Sequence, residues 1–69
     1  MKIRIYSKQE LAVMYLPDLL PKSAVNRLTI WIKRCTPLMQ QLISTGYTPT
    51  QRYYTPRQVS LIVEYLGEP

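Results

Sequence analysis

A chain of 69 residues with nine Lys and Arg against four Asp and Glu is one small domain carrying a net charge of +5. It has no histidine, one cysteine and two glycines. That inventory excludes a zinc site, a Ser-His-Asp or Cys-His constellation, a histidine proton shuttle and a glycine-rich phosphate loop. The chain is therefore expected not to be an enzyme, to need no cofactor or metal and to have no small-molecule substrate.

A domain this small buries only about 60% of its unfolded surface, and the lone Cys35 offers no disulfide to compensate. Cys35 reads as a small core residue and fits a reducing cytoplasm. No apolar run nears the ~18 residues of a membrane span, and the N-terminus lacks a signal-peptide core, so no membrane partner is expected. Met1 and Gly67-Glu68-Pro69 look like the natural ends of a free-standing protein. The charge is open to two readings: acidic partners, nucleic acid first, or ordinary solubility.

Lys2-Ile3-Arg4-Ile5-Tyr6 alternates polar with apolar residues, which predicts a short strand with Ile3 and Ile5 facing inward. Ser7-Lys8-Gln9-Glu10 is a capping box, and Tyr6 and Leu11 stand at the positions of a hydrophobic staple. A helix should start near Lys8, bury Leu11, Ala12, Met14 and Tyr15, and stop near Tyr15, because Leu16 precedes Pro17. Pro17-Asp18-Leu19-Leu20 is then a connection. Pro21 suits the first turn of a second helix, over about Lys22 to Arg34. Leu20 has no acceptor with which to cap it, which leaves Asp18 as the candidate cap. Lys33 and Arg34 suit the negative end of its dipole.

Thr36 as N-cap and Pro37 as first residue open a third helix, with Leu38, Met39, Leu42 and Ile43 at helical spacing. Gly46 ends it in a left-handed cap. Pro49 and Thr50 favour a turn, and Arg52 to Tyr54 favour a strand. Thr55-Pro56-Arg57-Gln58 is a second capping box, stapled by Tyr54 and Val59, and opens a fourth helix over about Pro56 to Leu66. Both capping boxes share one grammar of short strand, aromatic staple, cap and helix, so the two strands are expected to lie side by side.

Tyr6 to Tyr15, with Glu10-Leu11-Ala12 after a Tyr-Ser start, is similar to the first helix of excisionases and mercury-resistance-type regulators, and Pro21 to Ile32 is similar to their recognition helix. Gln51-Arg52-Tyr53-Tyr54-Thr55-Pro56-Arg57-Gln58-Val59 resembles the wing and further helix that follow in those regulators. Two features depart from that pattern. The connection Leu16–Leu20 is longer than the usual turn and lacks glycine, and a helix from Pro37 to Thr45 is inserted before the wing. A resemblance over the whole chain is carried by Glu10-Leu11-Ala12, Pro17-Asp18-Leu19, Pro21-Lys22-Ser23-Ala24, Trp31-Ile32, Gly46-Tyr47 and Thr55-Pro56-Arg57-Gln58-Val59, ending in Glu64 to Pro69. These motifs resemble a family of small proteins from anaerobic gut bacteria described as a domain of unknown function. That resemblance implies a fold and brings no activity with it.

The second helix splits into two arcs. Ala24, Val25, Leu28, Trp31, Ile32 and Cys35 want a core, and Trp31 is expected to pack there rather than stack on a base. Lys22, Ser23, Asn26, Arg27, Lys33 and Arg34 form the polar arc, with Ile30 in their midst. On one reading these six residues contact DNA, Asn26 reading adenine, Arg27 or Lys22 meeting guanine or phosphate, and Arg52 reaching phosphate from the wing. On the other they form a solvated helix face. Ile30 discriminates, being either covered by another element or exposed for a partner. Leu61 and Tyr65 give the fourth helix a second apolar side, which suits either a homodimer face or a central buried helix.

The expected fold is mainly α, a small helix-turn-helix or winged-helix-like domain of four short helices with a two-stranded β ribbon. The expected function is DNA binding by a small regulatory or accessory protein. The alternative is a protein-interaction module on the same scaffold, with a protein partner or a second copy docking at Ile30, Leu61 or Tyr65.

Overall fold

In the computed structural model, which describes all of residues 1–69, two capping boxes start two of the four helices. Ser7 Oγ accepts the Glu10 amide at 3.0 Å while Glu10 Oε1 accepts the Ser7 amide at 2.9 Å. Thr55 Oγ1 accepts the Gln58 amide at 3.2 Å while Gln58 Oε1 accepts the Thr55 amide at 3.1 Å. Each box satisfies two backbone donors that a helix N-terminus leaves free. The elements run β1 (Tyr6–Ser7), α1 (Lys8–Tyr15), α2 (Pro21–Arg34), α3 (Thr36–Ser44), β2 (Tyr53–Tyr54) and α4 (Pro56–Leu66). The fold is mainly α, with one two-stranded antiparallel sheet.

The two similar strand–cap–helix units do lie side by side: Tyr6 pairs with Tyr54 and Ser7 with Tyr53. The strands are shorter than the alternation from Lys2 to Tyr6 predicts, and Ile3 and Ile5 are exposed rather than inward. The register gives the reason. Continuing it would set Ile5 opposite Thr55 and Ile3 opposite Arg57, but Thr55 is already the cap of α4 and Arg57 is helical. The ladder runs out because its partner has turned into a helix. At its other end it gains one more bond, from the Lys8 amide to the Arg52 carbonyl at 3.0 Å.

Thirteen buried apolar residues form one core, to which every helix contributes. Tyr6 with Leu11 and Tyr54 with Val59, the two stapled pairs, are all within it. The rings of Tyr47 and Tyr54 stack with centroids 6.4 Å apart. α1 and α2 make the most extensive helix pair. α3 closes in a Schellman motif, where Tyr47 N–H donates to Leu42 O and Gly46 N–H to Ile43 O. Gly46 has φ +89, the left-handed conformation that favours glycine there.

Several expectations are corrected. Asp18 does not cap α2: Leu20 is the N-cap, with no side-chain hydrogen bond, and Pro21 at the first helical position needs none for its own missing donor. The cap of α3 is Cys35 rather than Thr36, again without a side-chain bond. Met14 on α1 and Ile43 on α3 are exposed, because each lies off the buried stripe of a short helix packed on one side. Trp31 is 36% exposed, on the edge of the apolar arc whose centre is Ala24, Leu28 and Ile32. No helix is long and apolar enough to cross a membrane.

Candidate nucleic-acid interface

The polar arc of α2 does not form one face. At ~100° per residue, Lys22, Asn26 and Lys33 fall to one side of its outer crest, with Val25 and Thr29 below them. Ser23, Arg27 and Arg34 fall to the other side. Ile30 stands on the crest between them and is 43% exposed, so neither α3 nor the segment around Arg52 covers it.

The first side lines a groove of about 640 Å³. Its α2 wall is Lys22, Val25, Asn26, Thr29 and Lys33, and the opposite wall is Ser7, Lys8 and Gln9 with the segment Pro49, Gln51, Arg52 and Tyr53. Four cations line it, Lys8, Lys22, Lys33 and Arg52, and no carboxylate does. The two ion pairs of the protein, Met1 amine with Glu68 and Arg4 with Glu10, lie outside it, so no groove cation is neutralised by a carboxylate. Of the residues singled out in the sequence, the fold therefore brings together Lys22, Asn26, Lys33 and Arg52. It leaves out Ser23, Arg27 and Arg34. Arg27 instead lines a shallower hollow of about 350 Å³ with Trp31 and the α1–α2 connection.

Lys8 is a groove residue that periodicity did not flag. Its ammonium donates to the Pro49 carbonyl at 2.9 Å and lies over the rings of Tyr47 and Tyr54, at 5.4 and 5.9 Å from their centroids. Partial burial pushes its pKa below the usual lysine value. With one of three donors used on Pro49, two remain for an anion. Glu10 sits below the usual carboxylate range, chiefly because the Ser7 amide donates to it, with Arg4 adding to the effect.

A buried amide network holds the far wall. Gln58 is 2% exposed. Its Oε1 accepts from Thr55 N and from Gln51 Nε2, and its Nε2 donates to Thr45 Oγ1 at 3.0 Å, which in turn donates to the Leu42 carbonyl. Gln51 also donates to the Tyr53 carbonyl at 2.7 Å and accepts from Thr48 N at 3.1 Å. Every polar atom of both amides is engaged, so the segment from Thr48 to Arg52 is tied to the end of α3 and to α4 without helix or strand of its own. The sequence shows Gln58 as half of a capping box. Its further role was signalled by its helical spacing to Leu61 and Ile62, which puts its side chain on the buried face.

The second face considered for a partner is smaller than expected. Leu61 is 5% exposed and packs in the core, because α4 is buried on two sides, so it cannot meet a second molecule. Tyr65, one turn on, is 40% exposed.

No curated protein and no solved structure matches this chain. A family model does, over residues 2–69. The chain belongs to the family described as a domain of unknown function (DUF4248).

Proposed function

We propose that this protein binds DNA, as a small regulatory or accessory factor, through the groove between α2 and the Pro49–Tyr53 segment. One observation carries the reading: four cations from three separate parts of the chain converge on a groove that holds no acid. Structural folding alone gives no reason to gather like charges, which repel one another, whereas a phosphate backbone gives one. Asn26 and Gln9, whose amides are not engaged elsewhere in the fold, are available to base edges or sugars. The likeness of the α1–α2 pair and the Arg52-Tyr53-Tyr54 segment to excisionases and mercury-resistance-type regulators supports the same reading.

The test is a titration of labelled DNA at two salt concentrations. If about four phosphates are neutralised, log K falls against log salt with a slope near −3 to −4. Absence of measurable affinity at low salt, for duplex and single strand alike, sinks the proposal.

A second reading, a protein-interaction module, is favoured by the exposure of Ile30 and Trp31 on and beside the α2 crest. Sedimentation against concentration, with Ile30→Ser beside wild type, tests the form in which the partner is a second copy.

A further inference from the structure

The shape of the basic surface bears on which form of DNA it takes. A helix that reads duplex DNA is convex: its outer crest enters the major groove, and cations flank that crest. On α2 the crest carries Ile30, and the cations that converge with Arg52 lie on one flank, inside a concavity walled by the start of α1 and by residues 49–53. A duplex, rigid and broad, would rest on the rims of such a groove, while a single strand can lie along its floor.

Two further features match a strand. Lys22 and Lys33 are three helical turns apart on one wall, a span of about 16 Å at 1.5 Å per residue, so they flank a path rather than a point. Lys8 and Arg52 face that path from the other wall. Tyr53 lies among the groove residues and is 60% exposed. Strand alternation sets this exposure: Tyr54 turns into the core at 1% exposure, so its neighbour must turn out. Its backbone is fixed by pairing with Ser7 and by the Gln51 bond to its carbonyl. A large ring held outward beside cations, with no packing role of its own, is the stacking platform that single-strand binding uses, with the cations tracking the backbone.

We infer that the groove takes single-stranded DNA, its phosphates along Lys22, Lys33, Lys8 and Arg52 and one base stacked on Tyr53. This rests on the nucleic-acid reading above and deepens it by naming the strand form.

The experiment is fluorescence anisotropy at low salt with a labelled oligothymidylate and a hairpin duplex of equal phosphate number, against wild type, Tyr53→Ala and Tyr53→Phe. Far-UV circular dichroism checks that each variant is folded. The expected result is tighter binding of the oligothymidylate by wild type. Tyr53→Ala should weaken that complex by about five-fold or more, while Tyr53→Phe preserves it and the duplex affinity is the same for all three. Tighter binding of the duplex, or an oligothymidylate affinity indifferent to Tyr53→Ala, overturns the single-strand inference and leaves DNA binding standing. No binding of either probe overturns both.

Discussion

The ammonium of Lys8 and the carbonyl of Pro49, separated by 41 positions in the chain, are joined by a 2.9 Å hydrogen bond. With the Lys8 amide also donating to Arg52, one residue latches the Pro49–Tyr53 segment onto the start of α1 twice, once by backbone and once by side chain. Replacing Lys8 by Met keeps the stem and the backbone bond and removes the charge. Lys8→Met is expected to lose about 1 kcal/mol of stability, the scale of one partly exposed charge-assisted bond with its cation–π contacts. Amide hydrogen exchange at position 8, whose N–H donates to Arg52, and at Gln51, whose N–H donates to Thr48, should quicken while the amides of Leu28 and Ile32 stay protected. Unchanged exchange at both sites would show that the latch is redundant.

Gln58 joins three parts of the chain in one buried side chain. In Gln58→Ala, Thr55 N–H, Gln51 Nε2 and Thr45 Oγ1 each lose a partner. An orphaned buried polar group costs about 1–3 kcal/mol, and a lost N-terminal cap about 1 kcal/mol, so a drop of roughly 2–4 kcal/mol is expected. Urea unfolding measures it. A loss under about 1 kcal/mol would mean that water replaces the amide at little cost.

Lys33 and Arg34 are adjacent in sequence and part company in space. Lys33 lines the groove and Arg34 does not. Lys33→Ala is therefore expected to lower DNA affinity and to flatten the salt slope by about 1, and Arg34→Ala to change neither by much. Equal effects of the two would spread the interface over the whole polar arc.

Burial raises the pKa of Tyr15, Tyr47 and Tyr54, the last most strongly, with Glu68 adding to the effect at Tyr15 and Tyr47 adding at Tyr54. A phenol whose pKa is raised on folding binds its proton more tightly in the native state. Its contribution to stability is complete below the unfolded value near 10 and is lost as pH rises from there toward the folded values. Lys8, lowered by burial, has the opposite sign and opposes one group against three. The temperature of thermal unfolding should shift downward above about pH 10. An unfolding temperature that stays level or rises as the pH is taken above about 10 would contradict this.

The helices were legible in the sequence because their signals are local. Ser7 with Glu10 and Thr55 with Gln58 lie within one turn of each other, and the bonds of Gly46 to Ile43 and Tyr47 to Leu42 are nearly as local. What could not be read depended on residues distant in the chain. Ile3 and Ile5 alternate like a strand, yet their pairing fails because α4 starts where their partners would be. Trp31 sits at the edge of an apolar arc, and periodicity does not say how far a neighbouring connection will cover that edge. The cations of α2 were visible as one arc, while their division by the Ile30 crest into groove and non-groove sets follows from where Lys8 pins residues 49–52.

The two-residue ribbon also has a kinetic consequence. It joins Tyr6 to Tyr54 across most of the chain, whereas α1 and α2 meet across the short Leu16–Leu20 connection. Closing the longer loop costs chain entropy before the ladder returns a single bond, so the helical pair is expected to nucleate first and the ribbon to zip late. The groove has one wall in each of these events. Stopped-flow refolding should therefore show helical ellipticity recovering ahead of the capacity to capture DNA. An occupant of the groove would act as a strut across the last contacts to form and the first to open.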